Sequence, residues 1–220
     1  MSPLVLCYHA VSPTWEHRLS IHPDLLVRQV RGLLRFRRLR ATFDDAFRNA
    51  AAVFPSLQAM GVPIEIFVCT GFARQGTPLT IPELETDRSE DLAQLATLTW
   101  DELRSHADRG VEIGSHTVSH PHLVALSDRE VRAELSESKE EIETELRATC
   151  NHFAYPYGEH DQRVRSLARA AGYDRAYALR GSRADSYAVP RLDLYRRHTP
   201  AQAMLLASPL RRLVPDRTAP

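Results

Sequence analysis

Two carboxylates stand side by side in "RATFDDAF" (residues 40–47), Asp44 and Asp45, where a short apolar run ends. Consecutive strand residues point to opposite faces, so at most one of the pair is expected to face a buried core. Carboxylates this close also resist ionising together, which raises the pKa of one of them. A turn or a helix cap would use the same residues, with Asp45 as the capping side chain. A second cluster follows in "GSHTVSHPHL" (114–123), where His116 and His120 are four apart and His122 lies two further on. That spacing brings two imidazoles to one side of a helical turn, as ligands of one divalent metal require. Pro121 disfavours helix at His120, so a single turn inside a loop is expected. Adding a carboxylate from another strand end makes a His-His-Asp set. Three protein ligands leave a position for a water that the metal acidifies. The aspartates would then divide the work, one ligating the metal and its neighbour taking a proton from that water.

These groups meet only if the chain gathers its strand ends. Strands are predicted at 4–9, 40–43, 64–69, 111–116, 153–156, 175–179 and 191–196, from short β-branched and aromatic runs. Helices are predicted near 24–35, 46–60, 100–109, 128–147 and 161–171, two of them opened by capping boxes, Thr99 with Glu102 and Ser127 with Glu130. Pro55 breaks or kinks the second unless a new turn starts there. Alternating β and α units favour a parallel sheet with helices outside, and seven strands curl it into an incomplete barrel. The length suits a single domain over 1–220, with residues 73–98 as a polar surface excursion, a possible cover for the site, and 200–220 as a C-terminal tail. In parallel α/β folds ligands lie at the carboxyl ends of strands. His9, Asp44, Asp45, His116 and the Pro156-Tyr157-Gly158 turn all fall at such ends.

Net charge is zero, so no whole-chain field draws nucleic acid or anionic membrane. Arg28, Arg31, Arg35, Arg37, Arg38 and Arg40 form a basic stretch, but Lys139 is the only lysine, so codon bias and a solvated helix face account for it. A pocket for a phosphorylated or lipid-diphosphate ligand is the alternative. No apolar run approaches the ~18 residues of a membrane span. The start, "MSPLVLCYHAVSP", lacks the pattern of a secretory signal, so a cytoplasmic location is expected. Cys7, Cys69 and Cys150 form neither a zinc-thiolate pattern nor a disulfide framework.

"TFDDA", "HTVSH" and "AYPYG", in this order and at these separations, resemble the first three motifs of the polysaccharide deacetylase family, the NodB-homology or carbohydrate esterase 4 group. "LCYHAVS" and "GVPIEIFVCTGF" share the likeness, which spans roughly residues 4–195. The resemblance implies a distorted (β/α)7 barrel that removes acetyl groups from N-acetylated sugars using a divalent metal. By position, Asp44 would be the general base, and Asp45, His116 and His120 the metal ligands. Thr117 would support the histidine loop, and Pro156, Tyr157 and Gly158 would shape one wall. The Tyr157 backbone N–H would help hold the oxyanion.

The chain departs from that pattern in three places. Ala46 stands where the family has Gly, which is costly if the position needs positive φ and harmless if it begins the helix. Ala154 stands where many members have an arginine holding the base, and Arg191 could supply that cation from the last strand. The late leucine-x-histidine motif, the source of the proton for the leaving amine, is not evident. His9, and after it His198, are the candidates for that proton. Zinc is the expected metal, with cobalt, nickel, manganese or iron also accepted by two nitrogens and a carboxylate. The substrate expected is an N-acetylated sugar, free or carried on a nucleotide or lipid as a polysaccharide precursor. The alternatives are an O-acetyl esterase or small-amide hydrolase using the same site, and a non-catalytic carbohydrate-binding relative.

Overall fold

The computed structural model describes residues 2–84, 89–182 and 184–208. Its strands are β1 (Leu4–Tyr8), β2 (Ala10–Val11), β3 (Ser20–Ile21), β4 (Leu39–Phe43), β5 (Ile64–Val68), β6 (Glu112–Ser115), β7 (His152–Ala154), β8 (Arg175–Ala178), β9 (Val189–Pro190) and β10 (Leu192–Asp193). The helices are α1 (Pro23–Leu34), α2 (Phe54–Ala59), α3 (Thr70–Ala73), α4 (Ser89–Gln94), α5 (Trp100–Ala107), α6 (Asp128–Leu146), α7 (Gln162–Ala170) and α8 (Pro200–Leu206). Eight strands form one parallel sheet in the order β10-β1-β4-β5-β6-β7-β8-β9, while β2 and β3 pair by themselves.

The two end members of that sheet are halves of one broken strand. Only Arg191 separates β9, which pairs with β8, from β10, which pairs with β1. The sheet therefore curls round almost to closure, a distorted (β/α)7 barrel with helices outside. The strand expected at 191–196 is thus displaced and split, because its residues must serve both ends of the sheet.

Alternation along the strands sorts side chains into two layers. Leu4, Leu6 and Tyr8 of β1, and Leu39, Ala41 and Phe43 of β4, join Leu26, Val30 and Leu33 of α1 in the large core between sheet and helices. Val5, Phe67, Ala154 and Tyr177 form a much smaller apolar cluster of their own, with Val189 packed against it. Burying one Leu or Phe side chain contributes ~1.5–3 kcal/mol, so the outer layer carries most of the hydrophobic stabilisation. The inner layer is left free for polar groups. It is also narrow: a Cβ on Gly114 would lie 2.5 Å from the Phe67 ring.

Both predicted capping boxes form, at Thr99 with Glu102 and at Ser127 with Glu130. The helix predicted over 46–60 starts late. Asp45 and Ala46 are left-handed (φ 66° and 53°), Arg48–Val53 form a 3-10 turn, and α2 begins at Phe54. Pro55 lies in the first turn of α2, where its missing N–H costs nothing.

The 73–98 segment is less loose than its composition suggests. In its described parts, Leu79, Ile81, Leu84 and Leu95 pack with Trp15, Phe47 and Cys69 into a second small core. Its few apolar residues follow no period, so only the folded chain reveals where they gather. Residues 85–88 of that segment lie outside the described residues. So do residues 209–220 of the expected tail, whereas Pro200–Leu206 form α8 against α1, with Met204 beside Gly32. No helix among the described residues is long and apolar enough to cross a membrane.

Candidate active site

Arg40, Thr42 and Asp44 alternate along β4 and its end. Thr42 and Asp44 converge on one group, the guanidinium of Arg191, because residue 191 sits at the break in the last strand. Arg191 Nη1 donates to Asp44 Oδ1 at 2.6 Å and to Thr42 Oγ1 at 3.1 Å, and Nη2 donates to Asp44 Oδ2 at 2.7 Å. Both partners are buried, at 5% and 4% exposure. Burial alone would raise the pKa of Asp44. The Arg191 charge outweighs it, helped by His116, and holds the carboxyl well below the usual carboxylate range. Arg191 is held in its charged form by the same pairing, against the effect of its own burial. The Cys7 thiol adds a weak donation to Asp44 Oδ2 at 3.5 Å.

The second aspartate is buried too, at 2% exposure, which strict strand alternation does not allow. The left-handed backbone of Asp45 and Ala46 accounts for it: two residues at positive φ end the extended run and turn Asp45 inward beside Asp44. Ala46 therefore occupies the position in which glycine would be unstrained, at a cost of about 1 kcal/mol.

His116 follows β6, whose register on β5 sets it by its Val68 neighbour: its N–H donates to the Val68 carbonyl at 2.9 Å. His116 Nδ1 lies 2.8 Å from the Ala154 carbonyl oxygen. A carbonyl only accepts, so Nδ1 carries the proton and Nε2 keeps a lone pair. Burial lowers the His116 pKa to about 4, so the neutral ring prevails. His116 Nε2 and His120 Nε2 lie 3.6 and 3.3 Å from Asp45 Oδ1. Asp45 Oδ1 is itself buried and has no hydrogen-bond partner. Burial raises the Asp45 pKa, partly offset by His116 and His9.

This donor set fits a divalent metal. Nitrogen and oxygen ligands about 2.0–2.2 Å from a tetrahedral ion lie roughly 3.3–3.6 Å from one another, which matches the spacing of Asp45 Oδ1 from each imidazole nitrogen. A cation there would also compensate a buried carboxylate oxygen that no donor reaches.

Around this centre, Thr117 Oγ1 accepts the His120 N–H at 3.0 Å, and Thr117 and His120 are both left-handed (φ 73° and 60°). Pro156, Tyr157 and Gly158 form a short turn, Tyr157 at φ 58° and Gly158 at φ 68°. A Cβ on Gly158 would meet Leu179 at 2.6 Å. The Tyr157 ring stands edge-on to His120 at 4.6 Å and stacks on His122 at 3.8 Å.

The two candidate proton donors are placed differently. His9 Nε2 lies 4.0 Å from Asp44 Oδ2, inside the cluster. His198 Nδ1 accepts the Tyr195 N–H at 3.2 Å, and its carbonyl accepts from Gln29 Nε2 at 2.6 Å. Burial, with Arg197 nearby, lowers its pKa to about 4. Asp193 is a site residue that sequence reasoning passed over. It is half-buried beside His9, Arg191 and Asp44, the Tyr195 hydroxyl donates to its Oδ2, and its Oδ1 has no hydrogen-bond partner. Burial raises its pKa. The available signal was the period of two through Val189, Arg191 and Asp193.

Comparison with known proteins identifies the family of the chain. A family model described as polysaccharide deacetylase matches residues 35–176. Chitin deacetylase 1 of Cryptococcus neoformans var. grubii is 43% identical over 63 residues, 29% of this chain and 13% of that protein. Chitin deacetylase 2 of Cryptococcus neoformans var. neoformans is 41% identical over 68 residues, 31% of this chain and 15% of that protein. The chain thus matches under a sixth of the length of either relative. Among solved structures, the Streptococcus pyogenes deacetylase PplD in complex with acetate superposes with a TM-score of 0.77 at 19% identity, covering 94% of this chain and 100% of that one. IcaB from Ammonifex degensii gives 0.73 at 18% identity, covering 93% and 97%. At such identities the structural likeness speaks for the fold. The family model covers well over half of the 220 residues, and on that ground the chain belongs to the polysaccharide deacetylase family.

Proposed function

We propose that this protein is a metal-dependent hydrolase that removes N-acetyl groups from an acetylated sugar or polysaccharide precursor. One observation carries the reading: a buried Asp45-His116-His120 donor set lies against a second carboxylate, Asp44, that an arginine grips at both oxygens. A binding module has no use for that second carboxylate. A hydrolase needs it to move a proton.

Asp45, His116 and His120 would hold the metal, zinc being the first choice for two nitrogens and one oxygen. The ion, when bound, supplies Lewis acidity that lowers the pKa of water and polarises an acyl oxygen. Asp44 takes the proton from the attacking water. Arg191 fixes the orientation of that carboxylate and keeps it ionised, so it is always ready to accept, though as a weak base. The Tyr157 backbone N–H faces the developing oxyanion, a contribution of ~3–4 kcal/mol for a well-placed donor. An amide anion is too basic to leave unaided, so the amine must be protonated as the bond breaks. His9 is assigned that proton because it lies in the cluster, 4.0 Å from Asp44, with the Asp193 carboxylate near enough to interact with it electrostatically. Pro156 and Gly158 hold the Tyr157 turn rigid.

Acetate release from a panel of N-acetylated sugars, sugar nucleotides, lipid-linked sugars and O-acetyl esters, with and without a chelator, tests the proposal. Chelator-sensitive release from an N-acetylated member supports it. Release from esters alone would move the reading to an esterase, and release from none would leave a carbohydrate-binding relative.

A further inference from the structure

The turn that carries His120 has a backbone that would not hold its shape alone. Thr117 and His120 are both left-handed, a strained conformation for residues with a Cβ that persists only where the surroundings over-determine it. Two neighbouring elements grip the turn from opposite sides. On one side, the Thr70 and Gly71 N–H groups of α3 donate to the Thr117 and Val118 carbonyls at 3.1 and 3.0 Å. The approach is so close that a Cβ on Gly71 would lie 2.9 Å from the Val118 oxygen. On the other side stands one carboxylate, Glu134 of α6. Its Oε2 accepts the Val118 and Ser119 N–H groups at 2.8 and 3.0 Å, and its Oε1 accepts the Ser119 hydroxyl at 2.6 Å.

We propose that Glu134 is a positioning residue that clamps the Thr117–His120 turn and so delivers His120 to Asp45, an inference that rests on the metal reading above. Three hydrogen bonds to a charged acceptor are strong for a group of this exposure. They satisfy two consecutive amides that have no strand partner. Helix α6 is itself aligned one turn further along, where Ser138 Oγ meets Ser115 Oγ at 2.8 Å and Ser115 Oγ accepts the Thr117 N–H at 3.2 Å. The clamp is therefore fixed to the same strand that places His116. Remove it, and His120 gains freedom while His116 does not.

The test compares Glu134→Ala, the milder Glu134→Asp, whose shorter arm cannot reach both amides, and Glu134→Gln, whose carbonyl still accepts them. Glu137→Ala, on the same helix and exposed, removes an equal charge as a control. Cobalt(II) affinity is read from visible absorption, and amide exchange at Val118 and Ser119 is read on the metal-free proteins. Glu134→Ala should weaken cobalt binding by about tenfold or more, the usual loss for a group supporting a ligand, and speed exchange at both amides. Glu134→Asp should do the same to a smaller degree, with Glu134→Gln and Glu137→Ala close to the parent. A folded Glu134→Ala or Glu134→Asp protein that binds cobalt as tightly as the parent overturns the clamp. A role only in stability would lower the melting temperature and leave cobalt affinity unchanged. If the parent itself takes up no cobalt, the metal reading fails. The clamp then stands or falls on exchange alone, and unchanged protection at Val118 and Ser119 sinks it.

Discussion

The two ends of the barrel each gather a histidine and carboxylates within ligand distance of one another, and they differ in almost every other respect. At the amino ends of the strands, Glu65, Glu112 and His152 meet Arg40. His152 Nδ1 lies 2.6 Å from Glu65 Oε1, and Arg40 Nη1 reaches Glu112 Oε2 at 2.7 Å and Glu65 Oε2 at 3.3 Å. A cation of the protein already fills that cluster, and none of its residues is left-handed. At the carboxyl ends, a carboxylate oxygen of Asp45 and one of Asp193 lack hydrogen-bond partners, and Asp45, Ala46, Thr117, His120 and Tyr157 all have positive φ. The residue types are similar. What separates a structural ion network from a candidate site is that the first is satisfied and relaxed, whereas the second keeps unmet valence on strained backbone.

The sharpest way to break this contrast is to remove ligands at the rim. Asp45→Ala, His116→Ala and His120→Ala should each abolish bound metal and turnover together, whereas Asp44→Asn should keep the metal and lose turnover by about 10²–10⁴-fold. Metal analysis on the purified variants decides it, and a metal-free Asp44→Asn protein would overturn the division of roles. His9→Ala comes next. N-acetylsugar turnover should fall about 10²–10⁴-fold while an activated aryl acetate, whose leaving group needs no proton, is cleaved nearly as before. The same selective loss in His198→Ala instead would move the acid there.

Arg191→Met tests the grip on Asp44. It leaves a carboxylate buried without its cation, so stability should drop by about 3–5 kcal/mol in denaturant melts. The pKa of Asp44 should rise, moving the acid limb of the pH–rate profile upward. A weaker effect is expected from pH on the metal-free protein. His116 titrates near 6.5 when unfolded and near 4 when folded, so the unfolded chain binds the extra proton first. Stability from this residue is full above about pH 6.5 and is lost as pH falls towards 4, by a few kcal/mol at most. His116→Asn should flatten that part of the melting-temperature profile.

The smallest effect on activity belongs to the other end. His152→Asn should cost about 1–2 kcal/mol of stability through the lost bond to Glu65, with kcat/KM within about twofold of the parent by the distance of that network from the rim. A large loss of activity would erase the distinction between the two ends.

Local order was largely legible. Six of the seven strand positions, the two capping boxes, the parallel barrel and the carboxyl-end convergence of Asp44, His116 and Tyr157 follow from period, caps and turns, because each of those signals acts over a few residues. The fold's closure did not follow. Arg191 reaches Asp44 across 147 residues of sequence, and its placement depends on a strand that breaks to serve both ends of the sheet. A run such as "VPRLDLY" carries no mark of that division.

The chain by itself determined which residue types stand at which strand ends, and so the candidate site's two histidines and two aspartates. Tertiary structure alone decided that both aspartates face inward, that Ala46 must bear positive φ, that Asp193 joins them and that Leu79, Ile81, Leu84 and Leu95 find a core. Those outcomes rest on the shape of a narrow barrel interior. Once the sheet curls, the space left at its rim selects backbone conformations that no local preference would choose, and contacts made elsewhere in the fold hold them.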